Sequence, residues 1–295
     1  MQPTLFLAFP GHESRAALLA EAFAGSRTEP VALHRFPDGE VLVTLPPVAG
    51  EQVVLVCGLD QADARLLPLV FAADEAREQG ASRVGLVAPY LGYMRQDRRF
   101  HDGEAVTSVS FAALLSRHID FLVTVDPHLH RHASLSEIYT VPAIAVASAP
   151  AIARWVAAQV ERPLLVGPDE ESAQWVEAIA ALAGVPCTVL RKVRHGDTEV
   201  EVSLPDAGRW QGCQPVLVDD IASSGRTLVA AADGLRRVGL PVPVCVVVHG
   251  LFAGNAEAVL RVAGITDLVS CNTVPHDSNG IDVMPEIVAA LRALA

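Results

Sequence analysis

The sequence predicts an α/β protein made of two similar halves, each a mainly parallel sheet with helices on both faces. Three observations predict it. Short apolar runs rich in Val and Leu alternate with longer Ala- and Leu-rich stretches along the whole chain. Apolar residues make up 51% of the sequence and aromatics only 5%, which suits close-packed α/β layers better than a β-sandwich or a disordered chain. The alternation also restarts after Val141-Pro142, and 295 residues suffice for about two domains. The expected halves are 1–142 and 143–295, with the last segment packing back on the first half.

In order, 4–8 is a strand and 13–23 a helix with Ser14 near its start. Residues 32–36 and 41–45 flank the polar turn Pro37-Asp38-Gly39-Glu40, a hairpin or projecting flap. A buried strand at 52–57 leads into a helix at 60–79 that stops at Gly80. The strand 83–88 is followed by an unusually polar loop, 89–102, then a helix at 108–118. A strand at 121–125 runs into Asp126-Pro127-His128. In the second half, 149–159, 172–183, 228–237, 253–262 and 284–294 are helices. Residues 163–166, 188–191, 216–218, 244–249 and 267–271 are strands, and 199–203 is extended.

The formal net charge of −12 argues against a general nucleic-acid binder or an anionic membrane surface. Any phosphate ligand must be held by local Arg, Lys, backbone N–H groups and a metal. Five scattered cysteines (57, 187, 213, 245, 271) contain no CxxC pair, so neither a disulfide framework nor a zinc site is expected. The first fourteen residues have no basic region of a signal peptide, and the longest apolar stretch, 242–252, is too short to span a bilayer. A cytoplasmic protein in a reducing compartment is the expectation.

The chain is organised around residues 216–227, VLVDDIASSGRT. A buried strand ends in Asp219 and Asp220, followed by a small-residue turn, Ser223-Ser224-Gly225, with Thr227 opening a helix. Unpaired N–H donors and the partial positive charge at a helix start suit a phosphate, and the carboxylates suit sugar hydroxyls or a hydrated Mg²⁺. The second signal is PYLGYMRQDRRF at 89–100. Arg95, Arg98 and Arg99 follow a strand end, where α/β proteins place ligands, and can grip polyphosphate oxygens. Tyr90 or Phe100 could stack near a base. The run HLHRH, 128–132, has alternating histidines, but no Cys or supporting acids point to a transition-metal site.

The 216–227 segment resembles the phosphoribosyl-pyrophosphate loop of type I phosphoribosyltransferases and of ribose-phosphate pyrophosphokinases. The PYxxYxRQD stretch resembles the nucleotide-binding segment of the second family only, and four further segments are similar in the same order over residues 30–285. Arg35-Phe36-Pro37-Asp38-Gly39-Glu40 resembles its FSDGE flap, with Pro37 where serine is usual. Val125-Asp126-Pro127-His128 resembles its VDxH segment. Val166-Gly167-Pro168-Asp169 resembles SPD, although Glu170-Glu171-Ser172 replaces the glycines that often follow. Lys192-Val193-Arg194 resembles its flexible KxR loop and opens a polar stretch expected as a loop. Ser223, where many bacterial members carry Asp, and the tail CNTVPHDSNGIDV resemble the archaeal-like branch, and Arg226 replaces a common glycine.

The resemblance implies two tandem type I phosphoribosyltransferase-like domains with the active site between them. It implies transfer of the diphosphoryl group of ATP to O1 of ribose 5-phosphate, giving phosphoribosyl pyrophosphate and AMP. Lys192 and Arg194 are then catalytic, and His128 and Asp169 serve Mg²⁺. Arg95, Gln96 and Asp97 hold ATP, with Phe36, Asp38 and Glu40 lent by a neighbouring chain of a homo-oligomer. Asp219 and Asp220 bind ribose, and Ser223, Ser224, Gly225 and Thr227 bind the 5-phosphate. The rival readings are a phosphoribosyltransferase, which has no need of RQD or KxR, and a non-catalytic regulatory subunit, which would be expected to lose Lys192, Arg194 or His128. The same chemistry on a modified sugar is a third.

Overall fold

The computed structural model describes residues 3–195, 199–204 and 207–294, with the side chains of 192–195 and 199–203 left out. The chain divides into two compact units, Met1–Ala147 with Met284–Ala295, and Ser148–Val283. The first is built from β1 (Thr4–Ala8), α1 (Glu13–Ala22), β2 (Arg27–Pro30), β3 (Ala32–Arg35), β4 (Val41–Thr44), β5 (Gln52–Val56), α2 (Ala62–Glu78), β6 (Arg83–Ala88), α3 (Thr107–His118), β7 (Phe121–Val125) and β8 (Ala143–Val146). The second begins with α4 (Ala149–Gln159), β9 (Pro163–Gly167), α5 (Ala173–Ala183) and β10 (Cys187–Val189). It continues through β11 (Arg191–His195), β12 (Glu199–Ser203), β13 (Gln214–Ala222), α6 (Arg226–Arg237), β14 (Val244–Gly250), α7 (Ala256–Val262), β15 (Leu268–Cys271) and β16 (Asn279–Ile281). The last helix, α8 (Met284–Ala293), belongs to the first unit.

Each unit holds a six-stranded parallel sheet, in the orders β2-β1-β5-β6-β7-β8 and β10-β9-β13-β14-β15-β16. The two orders are the same topology repeated. In the first sheet, Leu5, Leu7, Val53, Leu55 and Leu86 face a core closed by Leu69, Ala72 and Ala76 of α2 and Phe111 and Leu115 of α3. Phe6 lies on the opposite face, stacked on Phe23 with 5.9 Å between centroids, and α1 and α8 pack there. In the second sheet, Leu164, Val166, Leu217 and Val247 pack under α6 and α7. Burial on both faces is why these strands read as unbroken apolar runs instead of alternating ones.

Several boundaries differ from the sequence expectation. The first unit runs past 142, because β8 pairs with β7 in register Leu122↔Ala143 to Val125↔Val146 and completes its sheet. The stretch after 191, expected as a loop, is a two-stranded antiparallel ribbon, with Lys192 opposite Val202 and Arg194 opposite Val200. β2, β8 and β16 were not foreseen. No described helix is long and apolar enough to cross a membrane.

Candidate functional site

In an open parallel sheet, ligands gather where the strand order reverses, outside the carboxyl ends of the strands. In the second unit the chain goes from β9 outward to β10 and then back to β13 on the other side of β9, so the reversal lies between β9 and β13. Asp169 stands just beyond β9, and Asp219 and Asp220 lie near the end of β13. β13 is longer than its apolar run suggested. It pairs with β14 as far as Ala222↔Gly250, which carries both acids on a fixed strand. All three carboxylates are half-buried, and they are close enough to act on one another. The Asp219 carboxyl is held well above the usual carboxylate range, first by burial and then by the charges of Asp220 and Asp169. The Asp220 backbone N–H donates to Asp219 Oδ1 at 3.0 Å and opposes that shift.

Beyond the acids the loop is pinned from behind. The Ala222 carbonyl accepts the backbone N–H groups of Leu251 and Phe252, both at 3.0 Å, and the Ser223 carbonyl accepts that of Ala253 at 2.9 Å. Gly225 then caps α6 with a left-handed φ of +72° and no side-chain cap. A Cβ there would fall 3.0 Å from Leu260 Cγ, so any side chain would be strained by the backbone conformation and would have to push Leu260 aside. The first-turn N–H groups of α6 are thus left for a ligand. Ser223 is half-buried, and Ser224, Arg226 and Thr227 are exposed. Lys192 and Arg194 have their backbone on β11, and their side chains lie outside the described residues.

In the first unit the corresponding reversal lies between β1 and β5, and the protein's own side chains occupy it. His12 is fully buried, and its Nε2 accepts the Gly58 N–H at 3.0 Å. Arg15 and Arg65 flank the ring, and Arg65 also bonds the Gly58 carbonyl and Asp60. Burial and the two guanidiniums push the His12 imidazole down to about 3, so it is neutral at physiological pH.

The polar loop after β6 carries Arg95, Gln96 and Asp97. Arg95 is exposed. Gln96 Nε2 donates to Glu104 Oε2 at 3.0 Å, and the same oxygen accepts the N–H groups of Phe100 and His101. These bonds stabilise the Glu104 carboxylate and lower its pKa. Asp97, expected at the ligand, has a side chain only 2% exposed, and both of its oxygens accept from Arg131 Nη1, at 2.9 and 3.0 Å. The sequence reading missed Arg131. It sits inside the HLHRH run, and nothing in the sequence pairs it with a residue 34 positions away. His128 is half-buried beyond β7, its Nδ1 3.1 Å from His130 Nε2. Phe36, Asp38 and Glu40 lie on the exposed tip of the β3–β4 hairpin. There the Glu40 N–H donates to Asp38 Oδ1, and Phe36 packs edge-on against His34.

Comparison with known proteins bears on the family and the fold. Residues 8–118 match the family model described as the N-terminal domain of ribose phosphate pyrophosphokinase, and residues 134–286 match the phosphoribosyl transferase domain. The chain is 35% identical to the ribose-phosphate pyrophosphokinase of Methanopyrus kandleri, over 90% of this chain and 91% of that one. It is 34% identical to that of Halobacterium salinarum, over 97% and 100%. The crystal structure of phosphoribosylpyrophosphate synthetase from Mycobacterium smegmatis superposes with a TM-score of 0.85 at 21% identity, covering 99% of each chain, which shows the shared fold.

Proposed function

The chain belongs to the ribose-phosphate pyrophosphokinase family, and from that premise we propose that it transfers the diphosphoryl group of ATP to O1 of ribose 5-phosphate. The observation that carries the assignment to this chain's residues is the end of β13, where carboxylates for sugar hydroxyls meet an uncapped helix start for a phosphate. Asp219 and Asp220 bind the ribose hydroxyls. The loop Ser223-Ser224-Gly225 and Thr227 bind the 5-phosphate, which fixes the sugar with O1 presented to the nucleotide. Arg95 and Gln96 hold ATP. Lys192 and Arg194 neutralise the charge that builds on the diphosphoryl group and on the departing AMP as O1 bonds to the β-phosphorus and the bond to the α-phosphate oxygen breaks.

The donors present fit Mg²⁺. Asp169 offers hard oxygen ligands, and the carboxylate crowding felt by Asp219 is the situation a divalent cation relieves. Asp169 and His128 are the residues proposed to hold it. When bound with ATP the ion neutralises phosphate oxygens. The flap residues Phe36, Asp38 and Glu40 complete the nucleotide pocket of a neighbouring chain, so the working form is at least a dimer. All five cysteines are free thiols, which supports a cytoplasmic setting.

The test is AMP release from ATP and Mg²⁺ with and without ribose 5-phosphate. Wild type releases AMP only with the sugar, and Lys192→Ala lowers the rate roughly a hundredfold or more, as loss of one transition-state charge contact does. Sugar-independent AMP, or a full rate in the variant, would overturn the assignment.

A further inference from the structure

The buried Asp97 has an unusual partner in Arg131. A single guanidinium nitrogen, Nη1, serves both carboxylate oxygens. In the common parallel fork two nitrogens meet the carboxylate; here one nitrogen takes both oxygens, which leaves the others off this carboxylate. Arg131 keeps its other edge outward, with 41% of its side chain exposed, and among the described residues no further hydrogen bond is made by that edge. Its guanidinium also stands over the exposed Phe100 ring, 5.6 Å from the centroid, and Arg98 stands over the same ring at 4.7 Å. The carboxylate and the ring thus hold the cation in one orientation beside the arginine-rich loop. A preoriented arginine loses less side-chain freedom on gripping an oxyanion than a free one does.

We propose that Arg131 is a nucleotide-phosphate-binding residue of this chain, and that Asp97 acts through it as a positioning residue instead of touching the nucleotide. The inference rests on the reading of residues 95–97 as the ATP loop. Arg131→Gln raises KM for ATP roughly ten- to a hundredfold, the range for losing one charge-assisted hydrogen bond, while KM for ribose 5-phosphate is unchanged. Asp97→Asn raises KM for ATP in the wild-type background and adds nothing in the Arg131→Gln background, because its effect travels through the arginine.

The double variant Asp97→Asn/Arg131→Gln removes the buried charge that Arg131→Gln alone would strand. It melts closer to wild type than Arg131→Gln does, yet keeps the raised KM. Arg131→Lys, with one compact ammonium, anchors to Asp97 but presents no second donor edge, and it recovers stability without recovering KM. Two results overturn the proposal. One is a KM for ATP in the double variant within about twofold of wild type; the other is an Asp97→Asn penalty that is equal in both backgrounds. Wild type that releases no sugar-dependent AMP would instead sink the functional reading. ATP–Mg²⁺ titrated calorimetrically into wild type and the double variant then decides the role of Arg131 by itself.

Discussion

Two residues show how local physics divides the labour of the repeated fold. Gly225 must take a left-handed φ of +72° with Leu260 pressed against the space a Cβ would fill. Gly225→Ala therefore costs about 1–2 kcal/mol of stability and tilts the first-turn N–H groups. The expected readings are a lower melting temperature and a raised KM for ribose 5-phosphate, with KM for ATP unchanged. His12 is the counterpart in the first unit. Its folded pKa of about 3 lies below the ordinary 6.5, so the folded state binds fewer protons than the unfolded one. Its stabilising contribution is complete above 6.5 and is lost as pH falls from there toward 3, at a limit of about 1.4 kcal/mol per pH unit. A pH series of denaturant unfolding should show His12→Gln with a shallower acid limb than wild type. Equal slopes would mean that the ring titrates freely. The placement of Asp219 and Asp220 on a strand was legible in the sequence because an apolar run leads straight into them. The inward turn of Asp97 was not legible, since its partner is 34 residues away and pairs with it only through the fold.

At the scale of elements, what could be read depended on burial. The central strands are apolar throughout and several helices carry clear punctuation, so β1, β7 and α4 have the boundaries the sequence suggested. The edge strands escaped notice. β2 (RTEP) and β16 (NGI) are short and partly exposed, with no apolar run or alternation to betray them. The β11–β12 ribbon escaped for a related reason, because its charged residues read as solvated loop while its pairing is set by backbone register. The end of the chain gives a sharper test. Met284, Ile287 and Leu291 of α8 are buried, and the helix packs on α1, β7 and β8. Arg83 donates to the Leu294 carbonyl at 2.9 Å, and Arg292 donates to that of Ala22 at 3.1 Å. Ile287→Ala should cost about 2–5 kcal/mol. Hydrogen exchange should quicken in β7 and β8 and leave β9 and β13 nearly unchanged. Equal loosening of both sheets would mean that the units do not unfold separately.

For the whole molecule, the same sheet order occurs twice but the two reversal points have diverged. One presents acids and an uncapped helix start, and the other is occupied by His12, Arg15, Arg65 and Asp60. On the proposed function, the second reversal point holds the sugar phosphate, and the first, filled by the protein's own side chains, belongs to the unit that carries the 95–97 loop and the β3–β4 hairpin. The hairpin is its own two-stranded sheet, with Leu33 and Val43 packed on the first core, while Phe36 at the tip is 41% exposed and Leu42 on β4 is 50% exposed, apolar surface that a lone chain leaves in water. If the tip completes a neighbour's pocket, a flap defect and a catalytic defect can repair each other across chains. Phe36→Ala and Lys192→Ala would each be nearly inactive alone. Mixed in equal amounts, unfolded and refolded together, they should regain about a quarter of wild-type activity. Random assortment into two-fold dimers makes half of the dimers mixed, and each mixed dimer has one of its two sites intact. Activity that stays at the level of the parents would place the flap over its own chain's nucleotide, and the pocket would then be complete without a partner.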